Sequence, residues 1–253
     1  MQNPFDLSGR RALVTGGGSG LGFAIARALA ESGARVIVNG RNRARLESAA
    51  AKLADAGHAV DIAPFDVTQA GAVATSVAAL ESEAPIDIVV NNAAVNRRGP
   101  LEGFSDADWR SLMAANVDAP FFVARALIPA MKARRRGKII NLCSLASDIG
   151  RPNIVPYATS KGAVRMFTRA LAVELAPYNI QVNGIAPGFF RTEMNEPLMT
   201  DTEFSAWVAR RTPAGRWGEP PEIGGAAVFL ASSAADYVTG HLLAVDGGFG
   251  AAY

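Results

Sequence analysis

Three side chains that can handle a proton stand close together in the sequence: Ser144, Tyr157 and Lys161. Tyr157 and Lys161 are four residues apart, so on a helix they share one face. Tyrosine has an ordinary pKa of about 10, so as an acid–base catalyst at neutral pH it needs a positive neighbour, and Lys161 is that neighbour. The spacing indicates a proton-transfer site, and two surface residues of a helix are the alternative interpretation.

A glycine-rich loop, Thr15-Gly-Gly-Gly-Ser-Gly-Leu-Gly22, stands near the start of the chain. It follows a predicted strand and opens a predicted helix, which is the context in which backbone N–H groups bind a pyrophosphate. A plain tight turn is the alternative. The residues predicted to contact the cofactor here are Gly16, Ser19, Gly20, Leu21 and Gly22.

The second predicted strand ends in Val36-Ile-Val-Asn39-Gly-Arg41, where the adenosine ribose of a dinucleotide is read. A carboxylate at Asn39 would favour NAD, and none is present. Arg41 instead offers a guanidinium to a 2′-phosphate, with Arg43 and Arg45 nearby. We therefore predict that Asn39 and Arg41 contact the cofactor and that NADP(H) is preferred over NAD(H).

Short β-branched apolar runs alternate with alanine-rich helical stretches along the 253 residues, a pattern typical of a parallel sheet covered on both faces. It predicts one doubly wound α/β domain over 1–253, with a small lid insertion at about 195–218. The predicted strands are 11–15, 35–39, 59–65, 86–91, 138–143, 181–186 and 242–245, and the predicted helices are 20–32, 42–56, 69–83, 105–134, 157–176 and 220–232.

Composition argues against several classes of partner. The 25 Lys and Arg nearly balance the 23 Asp and Glu, so we expect no nucleic-acid partner. The only histidines, His58 and His241, lack ligand-type neighbours, so no metal site is expected. A single cysteine, no apolar leader and no run of 18 apolar residues predict a cytoplasmic protein without a membrane segment.

Taken together, Thr15-Gly-x-x-x-Gly-x-Gly22, Asn91-Asn-Ala-Ala94, Ser144 and Tyr157-x-x-x-Lys161 resemble the short-chain dehydrogenase/reductase family over the whole chain. The resemblance implies a Rossmann fold with a seven-stranded parallel sheet. It implies a catalytic quartet of Asn116, Ser144, Tyr157 and Lys161, and further cofactor contacts from Asp66, Val67, Asn91, Asn92, Pro187, Gly188 and Thr192. Ala94 stands where the family usually has glycine, and we expect the added methyl group to be tolerated.

The four residues divide the work of transferring a hydride between a carbinol and a nicotinamide. Tyr157 exchanges the hydroxyl proton, and Lys161 lowers the pKa of Tyr157 and holds the nicotinamide ribose. Ser144 donates a hydrogen bond to the reacting oxygen, and Asn116 links Lys161 to a water chain. A dinucleotide-binding regulator without turnover is the alternative from another class, and the intact quartet argues against it.

The substrate is predicted from Asn96-Arg-Arg98-Gly-Pro and Thr212-Pro-Ala-Gly-Arg-Trp-Gly218. These stretches resemble the members of the family that oxidise gluconate and related sugar acids, which implies reversible oxidation of D-gluconate to 5-keto-D-gluconate. Arg98 is predicted to bind the substrate carboxylate in bidentate fashion, beside Ser144 and Tyr157. Arginines that only solvate a loop or pair with Glu102 are one alternative, and a reductase of 3-oxoacyl thioesters or another polyol dehydrogenase is the other.

The helices at 105–134 and 157–176 are apolar and alanine-rich on more than one face, which exceeds what one side of a sheet can cover. Similar enzymes associate through these helices. We therefore expect a homotetramer.

Overall fold

The computed structural model describes residues 3–252, which build one seven-stranded sheet with helices on both faces. All strands are parallel, in the order β3-β2-β1-β4-β5-β6-β7. The strands are β1 Arg11–Thr15, β2 Arg35–Gly40, β3 Val60–Pro64, β4 Ile88–Asn91, β5 Gly137–Leu142, β6 Ile180–Pro187 and β7 Leu242–Val245. The predicted fold class is confirmed, and every predicted strand is present.

The helices alternate with the strands along the chain. They are α1 Gly20–Glu31, α2 Arg43–Asp55, α3 Ala70–Glu83, α4 Asp106–Met113, α5 Ala119–Arg134, α6 Val155–Leu175, α7 Glu196–Met199, α8 Thr202–Arg211 and α9 Gly224–Ala231. The helix predicted at 220–232 begins as a short 3₁₀ turn, Pro220–Ile223, because its two prolines lack the N–H groups that an α-helical ladder needs.

The sheet is buried on both faces, which explains why its strands are apolar throughout. Successive residues of a strand point to opposite faces, so Ala12 and Val14 pack in the core cluster under α1 and α9, while Leu13 packs in the cluster under α3 and α5. All five residues of β1 are buried. A strand in this position cannot alternate apolar with polar residues.

The strand order reverses between β1 and β4, and the chain leaves these neighbouring strands in opposite directions. Such a reversal opens a crevice at the carboxyl ends of the strands. Thr15 fixes this place, because its hydroxyl accepts hydrogen bonds from the backbone N–H groups of Asn92 and Ala93, 3.0 and 3.1 Å away. The glycine loop and the loop after β4 are thereby held side by side.

The long helix predicted at 105–134 is interrupted. A π-helical turn, Ala114–Asp118, separates α4 from α5 and contains the buried Asn116. Turns of this kind occur frequently at functional sites. The stretch Asp106–Arg134 is long and apolar enough to cross a membrane by length and composition, but Val123, Leu127 and Met131 on its inner face pack on the sheet.

The insertion between β6 and α9 is helical, which the sequence analysis did not predict. Its charged residues are mostly exposed to solvent. Its aromatic side chains pack against one another, with ring centroids 5.3 to 6.0 Å apart. The cluster consists of Phe189, Phe204, Trp207, Trp217 and Phe249. We call residues 195–218 the lid segment, because Asn195, Trp207 and Arg211 of this stretch line the crevice.

Candidate active site

A cleft of about 1350 Å³ runs along the carboxyl edge of the sheet. Its lining includes every site residue predicted from the sequence except Asn91 and Asn116. One end is formed by the glycine loop, the end of β2 and the loop after β3. The other end is formed by the loop after β4, the start of α6 and the lid segment. The cleft is long enough to hold a dinucleotide and a small substrate end to end.

Ser144, Tyr157 and Lys161 meet in the middle of this cleft. Ser144 stands two residues after the end of β5. Its hydroxyl hydrogen-bonds with the Tyr157 side chain. Lys161, one turn further along α6, has its Nζ 5.8 Å from the centre of the Tyr157 ring. Pro156 near the start of α6 suits a position where the N–H has no helical partner, so the helix can begin just before the tyrosine.

Burial governs the ionisation of both groups. Burial raises the pKa of Tyr157, while the hydrogen bond with Ser144 and the positive charge of Arg98 lower it. Burial lowers the pKa of Lys161 to about 8, and its Nζ donates a hydrogen bond to the Leu142 carbonyl, 2.6 Å away. The cation that acts on the phenol in this structure is Arg98, an effect that the sequence analysis missed.

Asn116 occupies the π-turn behind α6 and is 1% exposed. Its side-chain amide accepts from the Val95 N–H at 2.8 Å, and donates to the Val95 carbonyl and the Ser160 hydroxyl at 3.0 Å each. The side chain thus ties the loop after β4 to α6. Both polar atoms of the Asn116 amide thus have partners, in a turn where the regular α-helical ladder is broken.

The glycine loop is shaped to admit a backbone-bound anion. Gly16 and Gly20 have positive φ angles of 63° and 54°, and a Cβ on Gly22 would overlap the Gly16 carbonyl oxygen. Ser19, at the N-cap of α1, makes no side-chain cap, so the first N–H groups of the helix keep their hydrogen-bonding capacity. These residues fit the pyrophosphate of a dinucleotide.

The end of β2 lies where an adenosine ribose would be read. Arg41 is mostly exposed in the cleft, with one guanidinium nitrogen 3.9 Å from Asp66. Asn39 is buried, and its Nδ2 donates to the Ala63 and Phe65 carbonyls at 2.9 and 3.0 Å. Arg41, mostly exposed at this end of the cleft, is therefore the cation placed to meet a 2′-phosphate, whereas Asn39 braces the end of β3. Val67 lines the same end.

The loop after β4 departs from the prediction at one residue. Asn92 lines the cleft, and its side chain donates to the Thr15 and Gly16 carbonyls at 2.9 and 3.1 Å. Asn91 is buried against Asn141 and is absent from the lining, so its predicted place beside the cofactor is wrong. Strand alternation gives the reason, because neighbouring residues point to opposite faces. Ala94 lines the cleft without a positive φ, so the departure from glycine causes no backbone strain.

Pro187, Gly188 and Thr192 line the cleft where β6 passes into the lid segment. Gly188 has no room for a side chain, because a Cβ would lie 2.7 Å from the Asp246 Cα. Thr192 stands across from Gly20 of the glycine loop. This loop therefore lies against the glycine loop, across the cleft from the start of α1.

The two arginines after β4 separate in the structure. Arg97 pairs with Asp108, whereas Arg98 is half-buried in the cleft and its guanidinium lies 3.3 Å from the Asn195 side-chain oxygen of the lid segment. Burial and the charge of Arg151 lower the pKa of Arg98, and Tyr157 raises it. The position of Arg98 in the cleft is consistent with its predicted role as the substrate-binding arginine. Within residues 3–252, neither Arg97 nor Arg98 forms an ion pair with Glu102.

Arg151 is the cleft residue that the sequence analysis missed. It is half-buried before α6, and its guanidinium lies 5.2 Å from the centre of the Phe204 ring. Trp207 and Phe249 line the cleft nearby. No local signal marks Arg151 in the sequence, because its partners are far along the chain.

Comparison with known proteins places this geometry in context. The family model described as "Enoyl-(Acyl carrier protein) reductase" matches residues 16–250. The chain is 50% identical over 245 residues to gluconate 5-dehydrogenase of Gluconobacter oxydans (strain 621H), covering 96% of each protein. It is 48% identical over 249 residues to 5-keto-D-gluconate 5-reductase of Escherichia coli (strain K12), covering 98% of each.

A solved structure is similar to this chain in both sequence and fold. The crystal structure of a gluconate 5-dehydrogenase from Burkholderia cenocepacia J2315, in complex with NADP and tartrate, superposes with a TM-score of 0.96. The two chains are 49% identical, and the match covers 99% of this chain and 98% of the other.

Proposed function

The chain belongs to the short-chain dehydrogenase/reductase family, and from that premise we propose that it interconverts D-gluconate and 5-keto-D-gluconate with NADP(H). It is an oxidoreductase, so the alternative of a regulator without turnover is set aside. The observation that carries the proposal is the cleft itself, where the Ser144, Tyr157 and Lys161 side chains meet beside Arg98.

NADP supplies the hydride acceptor and donor when it is bound. Tyr157 takes the proton of the C5 hydroxyl during oxidation and returns it during reduction. Ser144 donates a hydrogen bond to the same oxygen, where negative charge develops as the proton leaves. Lys161 holds the nicotinamide ribose, and the Asn116 turn connects Lys161 to water. Arg98 favours the phenolate form of Tyr157 by its positive charge.

The shape of the first half of the cleft supports the proposed cofactor contacts. Gly16, Ser19, Gly20, Leu21 and Gly22 hold the pyrophosphate through backbone N–H groups. Arg41 meets the 2′-phosphate, and Asp66 and Val67 border the adenine. Asn92 supports the loop, and Pro187, Gly188 and Thr192 meet the carboxamide end. Relatives of this type are solved with bound NADP, and Arg41 gives a physical reason for NADP over NAD.

The substrate assignment rests on charge. The acidic lining residues Asp66 and Glu193 both lie at the cofactor end, within 3.9 Å of Arg41 and 3.3 Å of Arg45 respectively. Arg98 is therefore left to bind an anionic substrate, and a sugar acid suits a guanidinium better than a neutral ketone does. The relatives named for gluconate and keto-gluconate support this class.

A panel assay tests the proposed function. The protein is incubated with NADP⁺ and a series of aldonates and polyols, or with NADPH and keto-acids or an acetoacetyl thioester, and absorbance is followed at 340 nm. We expect the highest kcat/KM for D-gluconate and 5-keto-D-gluconate. Turnover of the thioester without turnover of any aldonate would favour the 3-oxoacyl reductase, whose acyl-carrier-protein substrates are of the class that the family model's description names.

We further propose that the chain works as one dinucleotide-binding and catalytic domain in a cytoplasmic homotetramer, with residues 195–218 as its lid. Exposed apolar side chains on the outer helices support association through that layer. They are Trp109, Phe121, Val155, Met166 and Val173. A monomeric mass by light scattering at micromolar concentration would contradict the tetramer.

A further inference from the structure

The substrate half of the cleft contains two positive charges without an anionic partner. Arg98 and Arg151 are close enough for the charge of Arg151 to lower the pKa of Arg98. Both are half-buried, and burial is not offset by a neighbouring carboxylate at either residue within residues 3–252. Two half-buried cations that line the same half of a cleft are unfavourable alone, which points to an anionic partner that binds there.

The other arginines that line the cleft have partners, and Arg41 at the cofactor end lies 3.9 Å from Asp66. Arg97 pairs with Asp108, and Arg45 pairs with Glu193 at 3.3 Å. Arg211 donates to the carbonyls of Phe249 and Ala252 at 3.3 and 3.0 Å. Arg98 and Arg151 therefore remain for the substrate.

Arg151 also has a defined support. Its guanidinium lies over the ring of Phe204 on α8, 5.2 Å from the ring centre, and Phe204 in turn packs on Phe189 and Trp207. An arginine stacked on an aromatic face loses less freedom when it binds a carboxylate, because its plane is already oriented. The aromatic core of the lid segment thus presents Arg151 to the cleft.

We propose that Arg151 is a specificity-determining residue that binds the carboxylate of the sugar acid together with Arg98. This inference rests on the proposed function. In D-gluconate the carboxylate carbon is four bonds from C5, so its partner must stand away from Tyr157. Arg98 is close enough to Tyr157 to lower the pKa of that phenol, whereas Arg151 lies over Phe204 of the lid segment, 5.2 Å from the ring centre, so Arg151 is placed at the lid side of the substrate half.

The test measures binding of D-gluconate and of tartrate by titration calorimetry to the protein–NADPH complex, in which D-gluconate cannot be oxidised. Arg151→Gln should weaken D-gluconate binding about 10- to 100-fold, the loss expected for a charge-assisted hydrogen-bond pair. Binding of D-sorbitol, which has a hydroxymethyl group in place of the carboxylate, should change less than about threefold. Phe204→Leu should weaken D-gluconate binding less than Arg151→Gln does, because it removes the support but keeps the charge.

Two controls separate a lost contact from a damaged protein. Arg210→Gln removes an exposed arginine outside the cleft, on the helix α8 that carries Phe204, and should leave all constants unchanged. Arg151→Lys keeps the charge without the planar fork and should bind D-gluconate with intermediate affinity. NADPH affinity should be that of the parent protein in every variant, which verifies that each is folded.

Each outcome is decisive. D-gluconate affinity within threefold of the parent in Arg151→Gln overturns the inference, even if the parent oxidises D-gluconate. A parent protein that binds D-gluconate but does not oxidise it overturns the proposed function. If Arg151→Gln then loses D-gluconate or tartrate binding, the inference about Arg151 still holds. A parent that binds no hydroxy acid overturns both.

Discussion

Lys161→Met should abolish turnover. It should also remove the loss of folding stability that the parent protein shows as the pH falls from 10 to 7. Lys161 is 4% exposed, and burial lowers its pKa from 10.5 to about 8. The unfolded chain therefore binds a proton more readily than the folded one between pH 10.5 and pH 8. Stability that is present above pH 10.5 is lost as the pH falls through this window, and below pH 8 the cost stays constant.

The magnitude follows from this difference in pKa. Each pKa unit corresponds to about 1.4 kcal/mol, so charging buried Lys161 costs roughly 3 kcal/mol at pH 7 and about 1 kcal/mol at pH 10. Methionine removes this cost at both pH values. It also leaves the Leu142 carbonyl without its donor at 2.6 Å, a loss of about 1 to 3 kcal/mol that does not depend on pH.

The assay is thermal unfolding of the protein without cofactor at pH 7 and at pH 10. The melting temperature of Lys161→Met minus that of the parent should be roughly 4 to 8 °C more positive at pH 7 than at pH 10, since 1 kcal/mol shifts Tm by about 2 to 4 °C at this size. Lys52→Met, at an exposed lysine of α2, should show no such change. A difference independent of pH would refute the idea that Lys161 is a strained buried cation.

Three further outcomes are expected. Tyr157→Phe should lose at least nine-tenths of the parent's turnover, while its NADPH affinity, measured by fluorescence, stays within a few-fold of the parent's. Retention of more than a tenth of the parent's turnover would place the proton transfer elsewhere. Arg41→Asp should reverse the cofactor preference measured as kcat/KM with NADP⁺ and NAD⁺, and equal efficiencies in the parent would contradict the role of Arg41. Gly22→Ala should abolish NADPH binding because the Cβ has no space beside Gly16, whereas Gly71→Ala, in open space, should not; unchanged binding in Gly22→Ala would refute the argument.

The sequence predicted the sheet well because its signals are local. Buried parallel strands are short apolar runs, and each of the seven stands within two residues of the structure's bounds at its carboxyl end, where the site residues follow. Ser144, Tyr157 and Lys161 come together because β5 and α6 are consecutive elements. Their convergence needs only a strand, a short loop and a helix.

The parts that were missed depend on contacts between distant residues. The π-turn forms where the Asn116 side chain reaches Val95 and Ser160, and periodicity does not report such bonds. Arg151 acquires its place through Phe204, 53 positions along the chain. The effect of Arg98 on Tyr157 likewise arises only when the loop after β4 lies against α6.

The position of the new carbonyl group is the most direct test of the central claim. The protein is incubated with ¹³C-labelled D-gluconate and NADP⁺, and the product is identified by NMR while NADPH is measured by absorbance. The structure and the relatives predict one product with its carbonyl at C5, formed in equal amount with NADPH. No NADPH, or a carbonyl at another carbon, would contradict the proposed function.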